Sequence, residues 1–238
     1  MKKYKKHTPP HLYLDRYTYF VTARTFDKRK YFNTYKKLFI LTDRLEKVRT
    51  RYQVTLHAWV VLANHYHILL TLQDGNTLSQ IIKCINGGSS YALNKIDNTS
   101  GRQIWWNYWD RCIRKEKDFY TRFNYIHHNP VKHGYVKTNG DYVFSSYNYY
   151  KDKLGDEFIQ NAEYCYPVID FTEARGHTGQ SEDWQSRTFR VLDCWRLINS
   201  YNVFEAYRSM KDAQKREKNL KLFSKDYYGL KRRLTDSL

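Results

Sequence analysis

Hydrophobic positions along the first 150 residues follow two spacings, one typical of strands and one typical of helices. A β-branched and aromatic stretch from Tyr17 to Thr22 predicts a first strand. Apolar residues then recur at helical spacing between Asn33 and Arg51, which predicts an amphipathic helix. Two runs of strand-forming residues, Val54 to Leu62 and His65 to Leu72, are separated by two residues and predict paired strands or a hairpin.

Segments with helical and strand spacing continue to alternate after Leu72, but a polar run and a proline interrupt the two helical segments. The segment from Thr77 to about Lys95 has helical spacing, but the polar run Gly87-Gly88-Ser89-Ser90 predicts that a turn breaks this helix. The stretch Trp105 to Ile113 predicts a further strand. A helix-compatible segment follows from Lys115 to His128, and Pro130 predicts that the helix ends near Asn129, because proline disfavours the α conformation in the residue before it.

The character of the chain changes near residue 150, where we expect a domain boundary between residues 1–150 and a C-terminal extension, residues 151–238. The extension is polar and contains one helical candidate, from about Glu182 to Ile198. Val203 to Leu238 is rich in lysine and arginine and poor in apolar residues, so we expect this segment to pack weakly or to fold on a partner.

Charge and aromatic content narrow the class of partner. The formal net charge is +17, and 6 Trp, 23 Tyr and 12 Phe are interleaved with the basic residues. Aromatic rings stack on unpaired bases while Lys and Arg neutralise phosphates, which favours single-stranded nucleic acid over a membrane surface. We expect a cytoplasmic protein, since the sequence has neither a signal peptide nor a membrane span. The four cysteines form no CxxC pair and predict free thiols.

Two histidines of one predicted strand are the first candidates for chemistry. Side chains alternate between the faces of a strand, so His65 and His67 should project from the same side. Imidazole is a common metal ligand, and two histidines leave most of a metal's coordination shell open for oxygen donors such as phosphate. The pair therefore predicts a catalytic cation site, although ordinary hydrogen-bonded histidines show the same pattern.

The predicted helix before Pro130 holds the second set. Tyr125 and Asn129 are four residues apart and lie on one helix face. A phenol with a pKa near 10 is a poor nucleophile at neutral pH, and a cation on the scissile phosphate would help its attack. His127 and His128 could accept protons, but phosphate contact or solvent exposure fits them better, and His57 is best read as a core histidine.

Together, the sequence motifs of the histidine strand and of the helix before Pro130 resemble those of the HUH endonucleases of the single-tyrosine transposase family. The matching residues are His65-Tyr66-His67, then Tyr125-Ile126 with Asn129 four positions on, in the family's order. The run Asn129-Pro-Val-Lys-x-Gly134 is similar to the branch associated with repetitive extragenic palindromes (REP). The resemblance spans roughly Tyr17 to Tyr150.

The resemblance implies a fold and a reaction. The fold would be α+β and ferredoxin-like, a central antiparallel β-sheet with helices packed on it and a basic C-terminal extension. Tyr125 would cut single-stranded DNA beside a hairpin and form a 5′-phosphotyrosine intermediate, with Mg²⁺ or Mn²⁺ held by His65, His67 and Asn129. Further DNA contacts are predicted from charge at Arg111, Arg114, Lys115, Lys117 and Lys132.

Two other readings stay open at this point. One is a domesticated protein that binds DNA hairpins without moving DNA, which the intact candidate set argues against. The other is an RNA-binding module, for which no characteristic aromatic strand motif is present. The sequence leaves the oligomeric state open between monomer and homodimer.

Overall fold

A four-stranded antiparallel sheet forms the centre of the computed structural model, which describes residues 14–169. The sheet order is β2-β3-β1-β4. A helix follows the first strand and another follows the third, so the chain runs β-α-β-β-α-β as in a ferredoxin-like fold, and the predicted α+β class is confirmed. The elements are β1 (Thr18–Thr25), α1 (Tyr35–Tyr52), β2 (Thr55–Val61), β3 (His65–Thr71), α2 (Leu78–Ile96) and β4 (Trp105–Ile113).

Helices α1 and α2 pack against one another and cover one face of the sheet. Tyr66, between the two candidate histidines, points to this face and donates a hydrogen bond of 3.0 Å to Oδ1 of Asn86 in α2. Trp105 lies on the same side, 5.2 Å from the Tyr66 ring, and its indole donates to Ser89 Oγ at 2.9 Å. Since side chains alternate along β3, His65 and His67 are left on the opposite face.

Helix α2 is continuous through Gly87-Gly88-Ser89-Ser90, so the predicted break is wrong. A side chain at Gly88 would come within 2.9 Å of the Arg44 guanidinium, so the glycine makes room for α1. The buried Ser89 hydroxyl receives the Trp105 indole, and it donates to the Asn86 carbonyl within the helix. Close packing and a buried hydrogen bond therefore outweigh the low helix propensity of this run.

Helix α3 (Glu116–Lys132) crosses the opposite face of the sheet and lies mainly over β2 and β3. It continues past Asn129 to Lys132 with Pro130 inside its last turn, so the predicted end near Asn129 is three residues early. The helix ends two residues before Gly134, where φ is +68°. The Gly134 N–H donates to the Val131 carbonyl and the Tyr135 N–H donates to the Pro130 carbonyl, which is the pattern of a glycine-terminated helix.

Helix α4 (Tyr147–Cys165) lies against α3 and is bent at Gly155, where φ is +83°. Asn124 of α3 donates to the Ala162 carbonyl at 2.8 Å and to the Tyr166 carbonyl at 2.7 Å. Residue 150, near the predicted domain boundary, falls inside α4. The candidate helix at 182–198 and the basic segment 203–238 lie outside the described residues. Within 14–169, no helix is long and apolar enough to cross a membrane.

Candidate active site

Strand β3 places His65 and His67 side by side on the face that α3 crosses. Their ring centroids are 5.1 Å apart. On the neighbouring strand β1, Arg24 pairs with His65 and Thr22 pairs with His67. Residues directly opposite in an antiparallel pair share a face, so the two imidazoles and these two side chains line one surface.

Both imidazoles are held through Nδ1. Thr22 Oγ1 lies 2.7 Å from Nδ1 of His67, and Asn64 Oδ1 lies 2.7 Å from Nδ1 of His65. The Asn64 amide is itself oriented, because its Nδ2 donates to the Lys28 carbonyl at 3.1 Å. An oxygen acceptor at Nδ1 of His65 requires a proton there, which leaves Nε2 as the lone-pair nitrogen of a neutral ring.

The surroundings keep the two rings neutral. Burial and the neighbouring His133 and Lys132 together lower the pKa of His65 to about 4, although its contact with Asn129 Oδ1 acts in the opposite direction. Burial also holds the pKa of His67 well below its ordinary value, and His65 next to it acts in the same direction. Neutral imidazole is the form that can bind a cation.

Helix α3 brings Tyr125 and Asn129 to the histidine pair. Asn129 Oδ1 lies 3.0 Å from Nε2 of His65, and Asn129 has no exposed surface. The Tyr125 ring is 5% exposed and meets the His67 ring edge to face at 5.2 Å. Phe20 of β1 contacts both rings. Its ring is stacked on His67 with centroids 5.6 Å apart and is edge-on to Tyr125 with centroids 6.2 Å apart. The four side chains singled out in the sequence therefore converge.

The contact between His65 and Asn129 tests whether this set fits a cation. With Nδ1 of His65 protonated, a neutral ring points its Nε2 lone pair at the Oδ1 lone pairs of Asn129, and no hydrogen bond joins two acceptors. Nδ2 of Asn129 is buried without a hydrogen-bond partner. A cation between Nε2 and Oδ1 satisfies both atoms, so the donor set fits a divalent metal ion. Residues 14–169 contain no cluster of three or more His, Cys, Asp or Glu placed to hold a metal, and this set differs in using an amide oxygen.

Two basic side chains beside the pair complete the surroundings. The Lys132 ammonium lies 5.2 Å from the centroid of the Tyr125 ring, so this predicted DNA contact is next to the candidate nucleophile. The His133 ring lies 4.9 Å from that of His65 and is exposed. Sequence reasoning missed His133, although it stands four residues after Asn129 and follows the same helix face.

The other predicted DNA contacts lie farther along the chain's surface. All four side chains are exposed: Arg111, Arg114, Lys115 and Lys117. Lys117 is in the first turn of α3, and eight residues separate it from Tyr125, which corresponds to about 12 Å along the helix. Arg111 forms an ion pair with Asp118 at 3.3 Å. These residues flank the candidate site and do not join it.

Arg122 is a further residue that the sequence did not reveal. It is 4% exposed, forms an ion pair with Asp118, and its guanidinium lies 5.4 Å from the centroid of the Phe20 ring. Burial lowers the pKa of Arg122, and the Asp118 carboxylate opposes that shift. Phe20 contacts both His67 and Tyr125. Arg122 therefore stabilises these two rings indirectly, through its contact with Phe20.

The remaining histidines of interest are structural. His57 is 1% exposed, as predicted for a core residue, and Nε2 lies 2.7 Å from Thr71 Oγ1. The expectation that His127 meets phosphate or solvent is wrong, because it is 2% exposed and bonded to Ser146 Oγ at 2.7 Å. Burial lowers the pKa of His127 to about 3. His128 is half-buried.

Comparison with known proteins agrees with this architecture. The family described as "Transposase IS200 like" matches residues 13–129. The REP-associated tyrosine transposase of Escherichia coli K12 is 29% identical over 150 residues, which is 62% of this chain and 84% of that protein. A protein of Haemophilus influenzae assigned to the same class is 30% identical over 125 residues, 45% of this chain and 71% of that protein.

A solved structure supports the same assignment. The structure of a REP-associated tyrosine transposase bound to a REP hairpin superposes with a TM-score of 0.57 at 27% identity, covering 76% of this chain and all of that one. Family model, relatives and fold thus point the same way. The chain belongs to the IS200-like transposase family and is a relative of its REP-associated tyrosine transposases.

Proposed function

We propose that this protein cuts and rejoins single-stranded DNA beside a hairpin, with Tyr125 as the nucleophile. The observation that carries the proposal is the convergence of two segments far apart in the sequence. His67 of β3 and Tyr125 of α3 meet at 5.2 Å between ring centroids, and His65 and Asn129 meet at 3.0 Å between Nε2 and Oδ1. The second contact brings two acceptor atoms together, an arrangement that a cation shared by Nε2 and Oδ1 would satisfy.

The proposed reaction is a transesterification. Tyr125 Oη attacks the phosphorus of one phosphodiester, a bond forms between Oη and phosphorus, and the bond between phosphorus and the 3′-oxygen breaks. The phenol proton is released, and the departing 3′-oxygen takes up a proton to become a free hydroxyl. The 5′-phosphate stays on Tyr125, so the bond energy is kept and the reverse attack by a 3′-hydroxyl rejoins a strand without a nucleotide cofactor.

The residues around Tyr125 have separate roles in this proposal. His65, His67 and Asn129 would hold Mg²⁺ or Mn²⁺, which when bound neutralises charge on the scissile phosphate. Thr22 and Asn64 fix the rings of the two histidines through Nδ1. Lys132 places a positive charge against the Tyr125 ring, where it can contact a phosphate oxygen.

We infer the DNA partner from the relatives. One relative is solved in complex with a REP hairpin, and the strong positive charge of this chain suits such a partner. Residues 1–150 would act as the catalytic domain and 151–238 as a hairpin-contacting extension. Within that extension the basic segment Val203 to Leu238 would grip the hairpin, so a chain truncated near residue 200 should bind hairpin DNA more weakly than the full chain, and equal binding would remove this segment from the proposal.

The reaction is tested on denaturing gels. Labelled single-stranded hairpins from the flanks of the encoding gene are incubated with wild type or Tyr125→Phe, with Mn²⁺ or with a chelator. We expect a protein-linked DNA species only with wild type and Mn²⁺. Tyr147→Phe is the matched control, since this half-buried tyrosine lies in α4 beside His127 and should leave the adduct unchanged.

The second candidate is a domesticated protein that binds hairpins without cutting them. It predicts that the same hairpins are bound by wild type and Tyr125→Phe with equal affinity and that no linked species forms. If the hairpins are bound in Mn²⁺ but no adduct forms, the hairpin-binding function is favoured over the endonuclease.

A further inference from the structure

A cleft of about 360 Å³ opens beside Arg24, the strand partner of His65. Its walls combine two aromatic side chains with charged ones: Arg24, Phe26, Asp27, Lys28 and Trp106. The centroids of the Phe26 and Trp106 rings are 5.4 Å apart and the ring planes are tilted by 48°, so the two rings are in contact without being stacked on each other. Proteins that bind unpaired nucleotides combine aromatic side chains, on which bases stack, with basic side chains that contact the phosphates.

Arg24 joins this cleft to a second aromatic surface. Its guanidinium lies 5.0 Å from the centroid of the Trp109 ring, and Trp109 is 37% exposed. The arginine therefore lies over a partly exposed indole next to the cleft. A guanidinium in this position can contact a phosphate while the neighbouring rings contact the base.

The cleft is held in a fixed shape by backbone and side-chain contacts. Asp27 and Lys28 both adopt left-handed backbone conformations, with φ of 54° and 53°. Such conformations are unfavourable for residues other than glycine and persist where surrounding contacts enforce them. Here the Thr25 hydroxyl donates to the Arg29 carbonyl at 2.7 Å, and Asn64 Nδ2 donates to the Lys28 carbonyl at 3.1 Å.

The same contacts place the cleft next to the candidate cation ligands. Asn64 bonds the cleft loop through Nδ2 and His65 through Oδ1. Arg24 is the direct strand partner of His65, and Trp109 pairs with Thr22, which pairs with His67. Neighbouring strands are about 4.8 Å apart, so the cleft begins one strand away from the histidines. DNA lying across Tyr125 would reach it with the adjoining nucleotide.

We propose that this cleft binds the base of an unpaired nucleotide next to the scissile phosphate. The base lies against Trp106 and Phe26, and Arg24 and Lys28 contact the phosphates on either side of it. The cleft then sets which phosphodiester faces Tyr125, because a base seated one strand away from His65 fixes the position of the backbone. This inference rests on the proposed DNA cleavage but concerns binding, which is measured separately.

The first test compares two oligonucleotides with identical phosphates, an oligothymidylate of about twelve nucleotides and an abasic strand of the same length. Fluorescence anisotropy with the full chain gives the ratio of their dissociation constants, which isolates the contribution of the bases. One stacked base contributes about 5- to 150-fold. We expect Trp106→Leu to reduce the ratio at least fivefold, and Tyr91→Leu, an aromatic 72% exposed on α2, to leave it unchanged. An unchanged ratio in a folded Trp106→Leu protein would overturn the inference.

The second test uses the wild-type chain and does not depend on a variant folding. A hairpin oligonucleotide carrying 5-iodouracil at each unpaired position in turn is photo-crosslinked, and the tryptic peptide from Gln103 to Arg111 is sequenced by mass spectrometry. We expect crosslinks at Trp106 or Trp109 from bases adjacent to the cut. Crosslinks that avoid both this peptide and Phe26 would contradict the inference, while adduct formation on the gel would still support the cleavage reaction.

Discussion

The sheet face opposite α1 and α2 has two halves that differ in what covers them. Over β2 and β3, helix α3 buries the histidines and Tyr125 among aromatic rings, and Tyr125 is only 5% exposed. Over β1 and β4 the face is largely open, so Trp109 is 37% exposed and the Arg111 side chain is 63% exposed. The covered half therefore holds its side chains in fixed positions, whereas the open half leaves aromatic and basic side chains accessible.

This difference separates two kinds of effect. Substitutions in the covered half should change the rate of cleavage while leaving DNA affinity almost intact. Substitutions in the open half should change affinity and its salt dependence while leaving the chemistry of bound DNA almost intact.

After the complete loss of adduct expected for Tyr125→Phe, the largest expected effect is that of His67→Ala. Loss of one ligand of the proposed cation should reduce the single-turnover cleavage rate by roughly 10²–10³-fold, as removal of one charge-stabilising group does in other enzymes. DNA affinity, measured by anisotropy, should change less than threefold. His57→Ala is the matched control, a second buried histidine on this face whose ring bonds Thr71. Equal loss of rate in both variants would contradict a specific role for His67.

The next effect concerns the hydroxyl behind His67. Thr22→Val keeps the side-chain shape but removes the contact to Nδ1, and outer contacts of this kind are worth about 10–100-fold in metal affinity. Thr18→Val is the control, because Thr18 lies on the same strand and face but bonds Thr71 Oγ1. Mn²⁺ titration should separate the two variants, and indistinguishable affinities would count against the proposed ligand set.

A third effect is on stability and follows from the burial of His57. Burial lowers the pKa of His57 to about 4, against 6.5 in the unfolded chain, so the folded state binds fewer protons between these values. Its contribution is complete above pH 6.5 and is lost as pH falls toward 4, by about 2 kcal/mol at pH 5. In urea unfolding, His57→Gln should lose less stability between pH 7.5 and pH 5 than wild type or the half-buried control His128→Gln. Parallel losses in all three would show that His57 is not the cause.

The smallest effect is expected at the edge of the open half, where Lys115 follows β4 and precedes α3. Lys115→Ala should weaken binding a few-fold and lower the slope of log affinity against log salt by about 0.7, the value for one phosphate of a single strand. Lys47→Ala, on α1 across the sheet, should change neither quantity. If Lys115→Ala instead slowed cleavage of saturated DNA, the division between the two halves would fail.

The sequence predicted correctly those features that depend only on residue spacing within one strand or one helix. Alternation in β3 predicted that His65 and His67 share a face, and the four-residue spacing in α3 predicted that Tyr125 and Asn129 do so. The continuous α2 was not predictable from its Gly87-Gly88 run, because the contacts that favour it come from Arg44 of α1 and Trp105 of β4.

The contacts around the candidate site could not be predicted from the sequence, because they join segments that are far apart along the chain. Nothing local marks Thr22 as a partner of His67, or Asn64 as a link between His65 and the Lys28 loop. In the sequence Arg122 looks like one more basic residue of a basic chain, yet it is buried, with its guanidinium over the Phe20 ring and paired with Asp118. His127 was misread because burial by α4 follows from packing that the sequence of α3 does not contain.

The central claim is that Tyr125, among the 23 tyrosines of this chain, carries the DNA. Trypsin releases Phe123 to Lys132 as a peptide in which Tyr125 is the one tyrosine. Wild-type protein is trapped with hairpin DNA in Mn²⁺, treated with nuclease and trypsin, and sequenced by mass spectrometry. The account predicts a nucleotide 5′-phosphate on Tyr125 in this peptide. A nucleotide attached to any other tyrosine would contradict it.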